Sequence, residues 1–312
     1  MTKFISCITL AACGLLLASG LSSCDLPYSR PKAKLSKVED LNSSDFKLGL
    51  PMGAKAMYVG EQNFPKARPA YYNSHYAAYE ALASNKIDAY LFDSHTLEYV
   101  AANTPGYTVL PGTVGRVDIA IGLASKNVDL LAPINEFIRQ YKKSGTYDAM
   151  YARWISNTSK SSLPKADDDD DEAELGVPAT TAPAMPKIAA PESPTRKLIV
   201  GTCSQLEPLC FRVPGNEETI VEGSTEKKYN LTGFDIELLR RLALFLNANI
   251  KIRDMDYTTL ENQLADGKID MVVAGMNKTT IREDRNILFS NNYMESRIVA
   301  LVKTERFDKA DD

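Results

Sequence analysis

Two α/β lobes, each a mostly parallel sheet flanked by helices, are what this sequence predicts. Three observations carry that expectation. Short apolar runs alternate with amphipathic helical stretches on both sides of a central interruption, the order that βαβ units require. The stretch from Glu80 to Phe92 is echoed by that from Glu261 to Val273, each containing a helix, a tight turn ending in Lys-Ile-Asp, and a fully apolar strand. The interruption, residues 156–195, is Ser-rich at first, acidic from Asp167 to Asp171, and then carries five prolines from Pro178 to Pro194. Such sequence buries little apolar area, so it is expected to be a disordered, solvated linker between folded segments at 36–155 and 196–312.

In the first segment, Lys47 to Leu50 predicts a strand, Tyr76 to Ala83 a helix, and Ala89 to Phe92 a buried strand. A further helix is expected from Val128 to Lys142, and another ending near Trp154. In the second segment, strands are expected at Leu198 to Val200, Ile250 to Ile252 and Met271 to Val273, with helices at Asp235 to Leu246 and Leu260 to Leu264. Ligands of open α/β sheets gather beyond the carboxyl ends of such strands. Those ends are Asp93 in one lobe and Ala274-Gly275-Met276-Asn277 in the other, so two facing edges are expected to form a cleft.

The chain has 312 residues, 44% hydrophobic and 24% charged, which suffices for two cores. A net charge of -4, without Lys/Arg runs interleaved with aromatics, argues against a nucleic-acid partner. Residues 1–23 read as an export signal, with Lys3 ahead of an apolar stretch from Ile5 to Leu21 that is short for a membrane span. Leu21-Ser22-Ser23-Cys24 resembles the lipobox of bacterial lipoproteins. That resemblance implies a lipid on Cys24, a tether over 24–35, and a cell-envelope location on the periplasmic or outer-surface side. Cys7 and Cys13 fall in the signal, leaving Cys203 and Cys210 as either a local disulfide or two reduced, buried thiols. Their spacing lacks a second ligand pair, and His75 and His95 lie far off in sequence, so neither a metal nor a cofactor is expected.

One set of motifs is specific. Thr232-Gly233-Phe234-Asp235, Gly267-Lys268-Ile269-Asp270, the run from Ala274 to Arg282, Phe289-Ser290 and Tyr293 together resemble the first lobe of the polar amino-acid-binding proteins of ABC importers, the bacterial extracellular solute-binding proteins of family 3. The first segment resembles the family's second lobe, through Lys47 to Gly53, Lys86 to Asp93 and Ser144 to Trp154. The lobes stand in reversed order. The resemblance therefore implies a circularly permuted two-lobe periplasmic-binding-protein (type II) fold, or else segments that pair between chains. It also implies a non-enzymatic protein that closes on an amino acid or similar small zwitterion and delivers it to an importer's permease.

A zwitterion needs partners for both charges when it is buried. The family pattern places Arg282 on the ligand carboxylate as a planar, bidentate donor. Asp93 and the Gly275 carbonyl fall to the ammonium, Asn277 gives a side-chain contact beside Ala274, and Tyr257 packs on the ligand. Gly53, Ala54 and Lys55, at a turn before a helix N-terminus, complete the carboxylate side. The alternatives are a helix cap for Asp93, an exposed position on a polar helix for Arg282 and a core position for Tyr257. Cys203 and Leu206 replace an acid and a stacking aromatic of the family pattern, which leaves the particular amino acid open. Two rivals stand beside transport: an enzyme on this fold, cyclohexadienyl-dehydratase-like, with Glu207 as its acid, or a sensory or scaffolding lipoprotein whose site has decayed.

Overall fold

The computed structural model describes residues 33–156, 183–213, 219–222, 225–228 and 230–307. The export signal, Cys24, most of the tether and linker residues 157–182 lie outside the described residues. In chain order the first segment forms β1 (Lys47–Pro51), α1 (Lys55–Asn63), β2 (Arg68–Tyr72), α2 (His75–Ala83), β3 (Ala89–Asp93), α3 (Ser94–Asn103), β4 (Tyr107–Val109), β5 (Gly115–Ala124), α4 (Leu131–Lys143) and α5 (Thr146–Tyr151). The second forms β6 (Arg196–Thr202), β7 (Gln205–Leu206), β8 (Cys210–Val213), β9 (Thr219–Glu222), β10 (Thr225–Lys228), β11 (Asn230–Thr232), α6 (Phe234–Phe245), β12 (Ala248–Asp254), α7 (Tyr257–Ala265), β13 (Met271–Val272), α8 (Thr280–Glu283) and β14 (Ile287–Lys303). Among the described residues no helix is long and apolar enough to cross a membrane.

The echoed sequences occupy equivalent places, for a physical reason. In each, the residue immediately before Lys-Ile-Asp turns the chain through the left-handed region, Asn85 at φ 58° and Gly267 at φ 66°. Asn and Gly are the residues that tolerate that backbone. The Asp at the end of each turn then ties down the first strand of its half. Asp88 Oδ2 accepts from the Lys47 amide at 2.8 Å, and Asp270 Oδ2 accepts from the Ile199 amide at 2.8 Å.

β1 pairs in parallel with β2 and β3, and β12 pairs in parallel with β9 and β6, with β6 in turn beside β13. The expected class, α/β with a mostly parallel sheet in each half, is the observed one. The halves are joined into one sheet, ordered β10-β9-β12-β6-β13-β5-β14-β3-β1-β2, by the antiparallel strands β5 and β14. β14 is 17 residues long and continues past β5 to pair with β3 and β4. Its register against β5 shifts between Phe289 and Met294, the irregularity falling where the two strands pass between halves. A separate three-stranded sheet, β11-β8-β7, supports the loop carrying Cys203 to Leu209.

Sequence segments and spatial halves do not coincide. α4 and α5 pack on α6, across the linker in sequence. Arg153 and Trp154, in the turn after α5, donate to the fully buried carboxylate of Glu237 on α6, at 2.7 Å each to Oε2. The two ends of the described chain also meet: the Leu35 amide donates to the Arg306 carbonyl at 2.8 Å, and Leu35 bridges Phe307. The last linker residues, 183–195, lack helix or strand but lie against the fold, with Met185 packed on the core. Between 188–194 and α6 and β12 is a cavity of about 590 Å³, lined by Leu239 and Ala243 of α6 and Ala248 to Ile252 of β12.

Candidate functional site

The carboxyl ends of β3 and β13 converge, as the strand order requires. Asp93 ends β3 and is 2% exposed. It occupies the N-cap position of α3, yet its side chain caps no amide there. Its Oδ2 instead accepts from Asn277 Nδ2 at 3.0 Å, from the other half of the molecule. Its Oδ1 is buried with no hydrogen-bond partner among the described residues, the single carboxylate oxygen so placed. Burial pushes the Asp93 carboxyl up to about 7, against the Asn277 hydrogen bond and the nearby charges of Arg282 and Lys55, which pull it down.

The opposite wall is held by the residues of the Thr-Gly-Phe-Asp motif. Gly233 sits at φ 120°, and a Cβ there would lie 2.3 Å from the Leu209 carbonyl oxygen, so only glycine fits. That close passage starts α6 with Asp235 fully buried. Asp235 accepts from the Gly275 amide at 2.7 Å and from the Tyr293 hydroxyl at 2.9 Å, which fixes the Ala274 to Asn277 turn. Burial pushes its carboxyl up to about 7 as well. Gly275 takes φ 56° and lies against Leu206 and Leu209. Its carbonyl is turned to Asn277 Nδ2, at 3.5 Å.

Arg282 is not a surface residue. It lies in α8, begun by a Thr279 cap, and is 2% exposed. All three guanidinium nitrogens donate within the protein: Nε to Glu261 Oε2 at 2.9 Å, Nη1 to the Asn277 carbonyl at 2.6 Å and Nη2 to the Gly53 carbonyl at 2.6 Å. The Tyr257 ring lies 5.4 Å from its central carbon. Gly53 takes φ 75° in the turn that leads to Ala54, the N-cap of α1, which makes no side-chain cap bond. Lys55 donates to the Arg116 carbonyl at 2.9 Å.

Asp93, Asn277, Gly275, Arg282, Tyr257 and Gly53 are thus brought together, with Ala54 and Leu206 on the walls. Cys203 is buried in the adjoining loop. The disulfide that an even cysteine pair allowed is not formed: Cys203 and Cys210 are both free, and burial pushes both thiols up.

Four side chains at this junction were not expected. Glu261 pairs with Arg282 and also with Arg285. Its place in the sequence, one residue after the inward-facing Leu260 of α7, is the available signal. Ser74 donates to Gln205 Oε1 at 2.9 Å, and the Tyr76 hydroxyl to Glu207 Oε1 at 3.0 Å, tying the start of α2 to the loop after β6. Glu207 is buried and pushed up to about 7 by that burial. With these ties the cleft is nearly filled, leaving a cavity of about 10 Å³ beside Ala54, His75, Tyr90 and Tyr257, room for about one water.

Two α/β halves joined through two crossing strands, with buried polar groups meeting at their strand ends, define the periplasmic-binding-protein (type II) class. Residues 198–311 match the family described as bacterial extracellular solute-binding proteins, family 3. It is 30% identical over 114 residues to the arginine-binding extracellular protein ArtP of Bacillus subtilis (strain 168), covering 36% of this chain and 39% of that protein. Over 105 residues it is 30% identical to a probable histidine-binding protein of Neisseria gonorrhoeae, covering 33% of this chain and 38% of that one. The match therefore spans about two-fifths of either relative. Among solved structures, the GluR0 ligand-binding core with L-glutamate aligns over 83% of this chain and 84% of its own at 10% identity, with a TM-score of 0.36.

Proposed function

We propose that the protein is a lipid-anchored, extracytoplasmic solute-binding protein that captures an amino acid or similar small zwitterion between two lobes and delivers it to an ABC importer. The observation that carries the reading is Asp93 Oδ1, buried without a hydrogen-bond partner among the described residues while Oδ2 holds Asn277. A buried carboxylate oxygen left without a donor is costly, and an ammonium supplies one. The relatives named for arginine and histidine are consistent with an amine-bearing ligand. With Arg282 engaged internally, the ligand carboxylate falls to the first-turn amides of α1, whose N-cap Ala54 leaves them without a side-chain cap. Entry requires the cross-cleft ties to open, with the register shift of β14 against β5 as the hinge. The meeting of Leu35 with Arg306 supports the permuted order, since old termini so placed need only a short bridge.

Calorimetric titration of the purified chain against the common amino acids is expected to give saturable binding of at least one, without product. Product formation would place it with enzymes of this fold, Glu207 being the acid. Failure of every ligand would favour a scaffold, a second reading that the filled cleft and its cross-cleft ties support. Anchoring has its own measurement: Cys24→Ser is expected to move the protein from the membrane to the soluble fraction of fractionated cells, and retention on the membrane would refute the lipid.

A further inference from the structure

We propose that Glu261 sets the ligand class by occupying Arg282, so that the cleft takes primary amines for which an α-carboxylate is dispensable. The inference rests on the cleft reading above and concerns which solutes that cleft accepts.

A guanidinium recognises a carboxylate by presenting two adjacent N–H groups to its two oxygens. Each of the three Arg282 nitrogens already serves a protein acceptor, so a carboxylate finds none of them uncommitted. The Nε and Nη2 edge is divided between Glu261 Oε2 and the Gly53 carbonyl, and Nη1 is held by the Asn277 carbonyl. Glu261 also places its negative charge beside the position an incoming carboxylate would take. It is fixed there from the far side by Arg285. A ligand carboxylate would have to displace protein carbonyls and then sit next to a like charge, in a site almost closed to water. The other cation near Asp93, Lys55, is turned to the Arg116 carbonyl.

The balance at Asp93 is the reverse. One oxygen holds Asn277, and the other is buried and unpartnered among the described residues. The cleft therefore offers an unanswered acceptor for an ammonium, whereas its strongest donor is already answered. A solute with an ammonium and no carboxylate satisfies the first without disturbing the second. The α1 amides remain available to a carboxylate where there is one, which is why amino acids are admitted but not required.

The test uses matched pairs that differ only by the α-carboxyl group: L-arginine and agmatine, L-histidine and histamine, L-leucine and isoamylamine. Kd is measured by calorimetry on the wild-type chain and on Glu261→Gln. In the wild type, the amine of the best-bound pair is expected to bind within tenfold of its amino acid, or more tightly. In Glu261→Gln, the amino acid is expected to gain at least tenfold relative to its amine. A wild-type preference for the amino acid of more than tenfold overturns the inference while leaving the cleft reading intact. No binding by any of the six overturns this inference, and failure of every common amino acid as well defeats the cleft reading. The wild-type comparison decides the matter even where the variant does not fold.

Discussion

Glu237→Ala is expected to lower stability by about 3 kcal/mol, the range found when one partner of a buried ionic cluster is removed. Glu237 is fully buried and receives five hydrogen bonds: two from Arg153, one from Trp154 Nε1 and two from Arg241. Arg153 and Arg241 are about a third exposed, 31% and 32%, so water takes up part of their loss and the low end of the range applies. Trp154, by contrast, is fully buried, and its indole N–H would lose the Glu237 carboxylate that it donates to. The melting midpoint should fall by roughly 5 °C for a chain of this size. Glu237→Gln keeps an acceptor for Trp154 and should lose less. An unchanged midpoint would mean that the end of the first segment does not hold α6 in solution, and would remove the strongest packing argument for pairing of the two segments within one chain.

That cluster also shows what sequence alone conceals. Glu237 stands in a helix next to Arg240 and Arg241 and reads as solvated surface. It is buried because residues 153–154 arrive from across the linker, a non-local contact that no local period encodes. The same holds for Glu261, which looks like the polar side of α7 until the loop carrying Arg282 covers it. By contrast, Asp93 and the Ala274 to Asn277 turn were legible, because both follow short, fully apolar strands whose ends the topology of an open sheet brings together. The echoed Lys-Ile-Asp turns were legible too, since each depends on a few adjacent residues. β14 was not. Its Asn291, Asn292, Glu295 and Arg297 break the apolar run, and its length is fixed by pairing with β5, β3 and β4 in succession. The sequence singles out Arg282 but not its partner Glu261. The family pattern assigns it to a ligand, and the side chain that occupies it here lies 21 residues earlier.

Asp93→Asn is expected to weaken binding of an ammonium ligand about 100-fold, in line with loss of the charged partner in a desolvated pair. It is also expected to stabilise the ligand-free protein. Asp93 has an ordinary carboxyl value of 3.8 when the chain is unfolded and about 7 when folded, because burial disfavours its charge. Between those values the folded chain holds a proton that the unfolded chain has released, so stability falls as pH rises from about 4 to about 7 and levels off above. At pH 8 the folded protein therefore carries a cost of roughly 2–4 kcal/mol at this residue, which an amide avoids. Glu207 and Asp235 are raised to about 7 by the same burial, so the substitution should flatten the stability slope without abolishing it. Ligand affinity has the opposite dependence. The carboxylate must be charged to hold an ammonium, so affinity should rise with pH and reach its plateau above about 7, near tenfold per unit below that. Wild-type protein should thus lose stability and gain affinity over one pH interval, and Asp93→Asn should reduce the first trend and remove the second. An affinity independent of pH between 5 and 8 in the wild type would mean that the unpartnered oxygen of Asp93 is not where the ammonium binds.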